Sequence, residues 1–265
     1  ITGDPHARAT RIGMLSMVSA AAPIVAPLLG ALIAGVWSWR ADFVALTIVG
    51  VAMTVLFALI VPETLGADER TSGGLGIVRG LTAALRDRDL VAIVLPFAAF
   101  AFGFYAYVAT ASFIAERQFA LPPLAFGIVF GVNALAMVGA NVVFRRLVRR
   151  MPPQRLLGTG LVVAAVSGAA FLVAALLGAP AWVDGLAALG FVASAGLVFP
   201  GAHASGQTTM VASGAASALT GAAQFLGGVL GSPVTGAIGP TAITLGGILL
   251  LAPLIGFAAR RMLTR

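Results

Sequence analysis

The chain has no cysteine and no lysine, two histidines, and only nine acidic residues among 265. Without cysteine there is no disulfide and no thiolate metal site. His6 and His203 alone offer no metal-ligand spacing. Charged residues make up 9% of the chain and hydrophobic ones 60%, where a soluble domain is about a quarter charged and half apolar. This composition excludes an ordinary soluble domain and predicts a polytopic, all-α membrane protein. Nucleotide-hydrolysing chemistry has no support, because "GGLG" at 73–76 lacks the Gly-Lys-Ser/Thr ending of a phosphate loop. "HASG" at 203–206 sets Ser205 two residues from His203, with no acid nearby and no nucleophile motif around it. No catalytic group, cofactor or metal is expected, and the chain does not read as an enzyme.

What is present in place of lysine is arginine: all sixteen cations, giving a net charge of +7. Such a balance could suggest nucleic acid, but the placement of the arginines speaks for membrane topology. A helix needs roughly 20 apolar residues to cross the hydrocarbon core. Uncharged runs predict eight spans, at about 12–35, 42–61, 91–114, 123–144, 156–178, 181–202, 213–236 and 240–259. Pro122-Pro123 opens the fourth, where proline suits a first turn. Gly178-Ala179-Pro180 and Gly239-Pro240 separate the fifth from the sixth and the seventh from the eighth. With eight spans both ends of the chain share one side. Fourteen arginines fall there, including Arg145, Arg146, Arg149 and Arg150 in a basic loop, against Arg40 and Arg117 on the other. The positive-inside rule makes the first side cytoplasmic.

The one long loop, from Pro62 to about Leu90, is then cytoplasmic. Within it "GIVRGLTAALRDRDL" (76–90) puts Ile77, Leu81, Ala84 and Leu85 on one helical face, with Arg79, Arg86 and Asp87 mostly away from it. Two readings stand: an amphipathic helix on the membrane surface, or a short linker helix.

Two stretches repeat. "PLLGAL" (27–32) and "PVTGAI" (233–238) each close a glycine- and alanine-rich span before a short turn and one more span. Repeats of this kind are a mark of transporters. Pairing them makes the first two spans (1–61) the end of one six-helix half. The loop 62–90 is the connection, and 91–265 is a whole second half. Four further spans are expected upstream of Ile1.

"ARATRIGMLSMVSAAAPIVAPLLGALI" (7–33), "WSWRADF" (37–43), "VPETL" (61–65) and "ASGAASALTGAAQFLGGVLGSPVTG" (212–236) together resemble the major facilitator superfamily, and within it the Bcr/CflA-type drug:proton antiporters. The likeness implies a major facilitator fold, with this chain matching helices five to twelve of twelve. It implies a bacterial-type inner membrane, a small-molecule substrate, protons as the coupling ion, and a monomer when full length. The basic loop 145–157 departs from the pattern by lacking its acidic residue, and the subfamily's usual proton-coupling carboxylate lies in a first helix outside this chain. The expected activity is proton-coupled efflux of lipophilic drugs or small metabolites by alternating access. An importer or uniporter of the same fold, or a fragment without transport of its own, are the alternatives.

Individual residues follow. Pro23, Pro27 and Gly30 lie within about 60° on one helical face, read as a gate surface or as a structural kink. Gly221, Gln224 and Gly228 share the small-residue face of the seventh span, fit for close helix packing or ligand contact. Phe97, Phe100, Phe104 and Tyr107 form a stripe within about 80°, cavity-lining by resemblance or else packing. Asn133 and Asn141 need partners in a bilayer, from another helix or from substrate. Asp42, Glu63, Glu116 and Asp184 all fall near span ends, so no acid is expected at mid-membrane depth.

Overall fold

The computed structural model describes residues 29–30, 33, 36–60, 74–207 and 213–263. The chain divides into two units, Ile1–Ser72 and Gly73–Arg265. The expected span at 12–35 falls almost wholly outside the described residues.

In the first unit, α1 (Trp39–Ile60) is a 22-residue helix with no buried side chain. A helix apolar on every side needs lipid or protein around it. Its hydroxyls are satisfied internally: Thr47 Oγ1 donates to the Phe43 carbonyl at 2.7 Å and Thr54 Oγ1 to that of Gly50 at 2.8 Å. At its start the Arg40 guanidinium lies 4.5 Å over the Trp39 ring, an aromatic–cation anchor suited to a membrane interface. Asp42 Oδ1 has no hydrogen-bond partner among the described residues.

The second unit holds α2 (Gly74–Arg86), α3 (Arg88–Arg117), α4 (Pro123–Leu147), α5 (Pro153–Leu176), α6 (Ala181–Gly206), α7 (Ser213–Ile238) and α8 (Ala242–Leu263). Their starts are chemically marked. Asp87 caps α3, its carboxylate accepting from the Leu90 amide at 2.8 Å, which satisfies one of the orphan amides of a first turn. Pro123 and Pro153 occupy first positions, where a missing N–H costs nothing. Gly178 and Gly239 take φ of +63° and +97° in the turns after α5 and α7, a backbone that side chains resist. The helices run a few residues past the sequence-based spans at their arginine-bearing ends. A helix of 30 residues such as α3 is about 45 Å long, so its ends lie beyond a core of about 30 Å.

Six described helices are long and apolar enough to cross a membrane: α1, α3, α4, α5, α6 and α8. The 26 residues of α7 are long enough too, but rich in glycine, alanine, serine and threonine. That composition follows from its packing. A side chain at Gly231 would run into the Phe102 carbonyl of α3, and one at Gly227 would stand 2.7 Å from that of Ala98. Small residues let the two backbones approach.

The packing has an internal symmetry. The main contacts of α3 are with α7, α8 and α6; those of α6 are with α4, α5 and α3; and α5 packs on α8. Exchanging α3-α4-α5 for α6-α7-α8 maps this set onto itself. Short turns at 118–122, 148–152 and 177–180 reverse direction between successive helices, so the triplets run in opposite senses. This is an inverted three-plus-three repeat, with α3 and α6 as its axis. The core lies between them: Phe97, Phe100, Phe191, Ala195 and Val198 are fully buried. Outside the repeat, α2 packs on α7 and α3, burying Ala84 while Val78 and Leu85 stay exposed.

Candidate functional site

The axis helices carry most of the aromatic residues of the bundle. The stripe on α3 packs into α6. Phe100 stacks on Phe191 with centroids 5.3 Å apart. Phe97 meets Phe199 and His203 edge-on at 5.6 and 5.5 Å, and Phe104 meets Phe199 at 5.0 Å. Phe97 and Phe100 are fully buried and Phe104 is half-buried. These rings form a seam between α3 and α6, which such aromatic pairs hold by about 0.5–1.5 kcal/mol each beyond their burial.

Two polar groups flank the seam. Toward the Arg117 end of α3, Tyr107 Oη accepts from Asn133 Nδ2 of α4 at 2.6 Å, and both residues are buried. Toward the other end, Gln224 of α7 joins three helices. Its Nε2 donates to Tyr105 Oη of α3 at 3.3 Å, and its Oε1 lies 3.0 Å from His203 Nε2 of α6. With the amide oxygen accepting, His203 Nε2 carries the ring proton. In a bilayer interior such side-chain bonds are worth about 0.6 kcal/mol on average. The value of the network is geometric: it fixes the rotation of α3, α6 and α7 relative to one another.

The sequence-based candidates therefore separate. Asn133 bonds across helices, whereas Asn141 Oδ1 accepts from Arg145 Nε on its own helix at 3.1 Å. Arg145, Arg146, Arg149 and Arg150 are exposed at the end of α4 and the following turn. Gly228 lies under the Tyr105 ring, where a Cβ would come within 3.0 Å, while a Cβ at Gly221 would meet nothing. Pro23 and Pro27 fall outside the described residues. Gly30 is described, and a side chain there would meet nothing within 4 Å. His203 was legible only as a residue at a span boundary, yet α6 continues to Gly206 and brings it inside the bundle. Its signal was its isolation, a lone histidine in an apolar run. Asp184 lies near a span end, in the first turn of α6, and is 4% exposed.

A bundle of membrane-length helices arranged as two inverted triplets around an aromatic axis defines the class: a polytopic membrane protein of the transporter type. The sequence matches the Major Facilitator Superfamily over residues 3–232, and the chain belongs to that superfamily. It is 27% identical over 256 residues to an uncharacterised MFS-type transporter, YdgK, of Bacillus subtilis, covering 95% of this chain and 64% of the relative. It is also 27% identical over 224 residues to a bicyclomycin resistance protein homologue of Haemophilus influenzae, covering 83% of this chain and 56% of that one. The chain thus spans less than two thirds of the length of these curated relatives.

Proposed function

We propose that the protein to which this chain belongs is a secondary active transporter that exports lipophilic drugs or small metabolites in exchange for protons. The observation that carries the reading is the inverted repeat: α3 and α6 at the axis, with α4 and α7 on their flanks free of any principal contact with each other. In alternating access, two halves of this construction rock about a site near the membrane midplane. In this reading α1 belongs to the first half, α2 to the cytoplasmic connection and α3–α8 to the second half. The likeness to a bicyclomycin resistance homologue supports export of a small molecule. The fourteen-to-two arginine split supports cytoplasmic ends in a bacterial-type inner membrane. The transporter acts as a monomer, and its partners are substrate, protons and lipid.

The test is flux in proteoliposomes containing the full-length protein, with an imposed pH gradient. Efflux is expected to fall to the leak rate when the gradient is collapsed. Unchanged efflux would remove proton coupling, and uptake down the substrate gradient alone would favour a uniporter.

A further inference from the structure

Asp184 is the one acidic side chain of the described residues that is buried, at 4% exposure, and both its carboxylate oxygens lack a hydrogen-bond partner. It lines a partly open cavity of about 60 Å³. The walls come from α3, α4, α5, α6 and α8, and include Tyr107, Phe119, Phe126 and Phe171. No arginine lines it, and Tyr107 is the only other titratable side chain there. The α3 arginine nearest in sequence, Arg117, has its guanidinium 4.8 Å over the Phe113 ring.

An isolated carboxylate in apolar surroundings is costly unless something neutralises or pairs it. Aromatic rings attract cations. The space of about 60 Å³ is well below the roughly 150 Å³ that takes a benzene ring, so only a small head group fits inside. An ammonium group has three N–H donors and no acceptor. Asp184 supplies two oxygens, and the Tyr107 hydroxyl is the only other side-chain oxygen in the lining.

We propose that this cavity binds the primary-ammonium head of a small organic cation, with Asp184 as counter-ion and the aromatic rings as walls. Its lining includes Leu121 and Ala181, at the end of the bundle that carries the α3–α4 and α5–α6 turns. Among the described residues of α3–α8, Arg117 is the only arginine at that end, so an approaching cation meets little repulsion. The site adjoins the aromatic seam through Tyr107, and the proposal assigns it no step of the transport cycle. Its test reads binding alone, so either proposal stands or fails without the other.

The test uses purified full-length protein in nanodiscs and ligand-observed NMR, with ethylammonium as probe and ethanol as its neutral counterpart. Saturable ethylammonium binding is expected in the natural protein, with no ethanol binding. Asp184→Asn keeps the shape and is expected to weaken ethylammonium at least tenfold while the thermal midpoint stays the same or rises. Phe126→Leu, with the carboxylate intact, is expected to weaken it several-fold. Equal binding by Asp184→Asn, ethanol binding as well as ethylammonium, or no ethylammonium binding to the natural protein would each overturn the proposal. So would a pH-dependent midpoint that vanishes in Asp184→Asn without ethylammonium binding, since the site would then serve a proton only.

Discussion

Gly231→Leu is expected to lower the thermal unfolding midpoint of the detergent-solubilised protein by about 6–12 °C, or to prevent recovery of folded protein. The bulk it adds has nowhere to go. A Cβ at Gly231 already collides with the Phe102 carbonyl, and the Ala106 amide nitrogen is 3.3 Å away. Backbone cannot yield as a flexible side chain can, so α3 and α7 must move apart. Inserting methylenes into a packed interior costs about 1–3 kcal/mol, and a leucine adds enough to reach the upper end. At about 2–4 °C per kcal/mol for a chain of this size, that gives the stated shift. Gly236→Leu is the matched control. It lies five residues further along the same helix, where a Cβ meets nothing within 4 Å, and its midpoint is expected within about 1 °C of the natural protein. Equal midpoints for the two variants would remove the close α3–α7 packing on which the inverted repeat rests.

The second large effect is expected on transport without loss of insertion. Replacing Pro27 and Gly30 together with leucine would fill the narrow face that the helical spacing of "APIVAPLLG" (22–30) implies. If that face closes against another helix during the cycle, efflux should fall at least tenfold while the amount of membrane-inserted protein is unchanged. Among the described residues a Cβ at Gly30 meets nothing within 4 Å, unlike one at Gly231. The discriminating quantity is the ratio of flux to inserted protein. A ratio equal to that of the natural protein would leave Pro23 and Pro27 as a structural kink only.

Helix placement was largely legible because a membrane imposes it. Runs such as Leu90–Ile114 contain no charge, and Pro122-Pro123 and Gly178-Ala179-Pro180 punctuate them. The structure puts helix boundaries close to each. The facing of each helix was much harder to read. Lipid tails are as apolar as leucine, so the sequence does not separate a lipid-facing valine from a core one. The stripe of Phe97, Phe100 and Phe104 has the same spacing whether it lines a cavity or a seam, and only Phe191, Phe199 and His203 on a helix about a hundred residues later show its packing. The Tyr105–Gln224–His203 group was hidden for the same reason, since its members lie up to 119 positions apart. Asp184 stands near a span end, as the sequence implies, in the first turn of α6. Its burial was not legible, because position in a first turn says nothing of which side chains from other helices surround it.

Alternating access is tested most directly by measuring distances between the halves at both ends of the molecule. These 265 residues contain no cysteine, so once any cysteine elsewhere in the full-length protein is replaced, spin labels on introduced cysteines report only the chosen sites. One pair joins Ser38, before α1, to Ala179 in the α5–α6 turn. The other joins Ile60, at the end of α1, to Met151 in the α4–α5 turn. In nanodiscs with full-length protein, alternating access predicts two distance populations for each pair. Lowering the pH or adding substrate should lengthen one pair while shortening the other. A single distance at both ends, unmoved by either treatment, would contradict it.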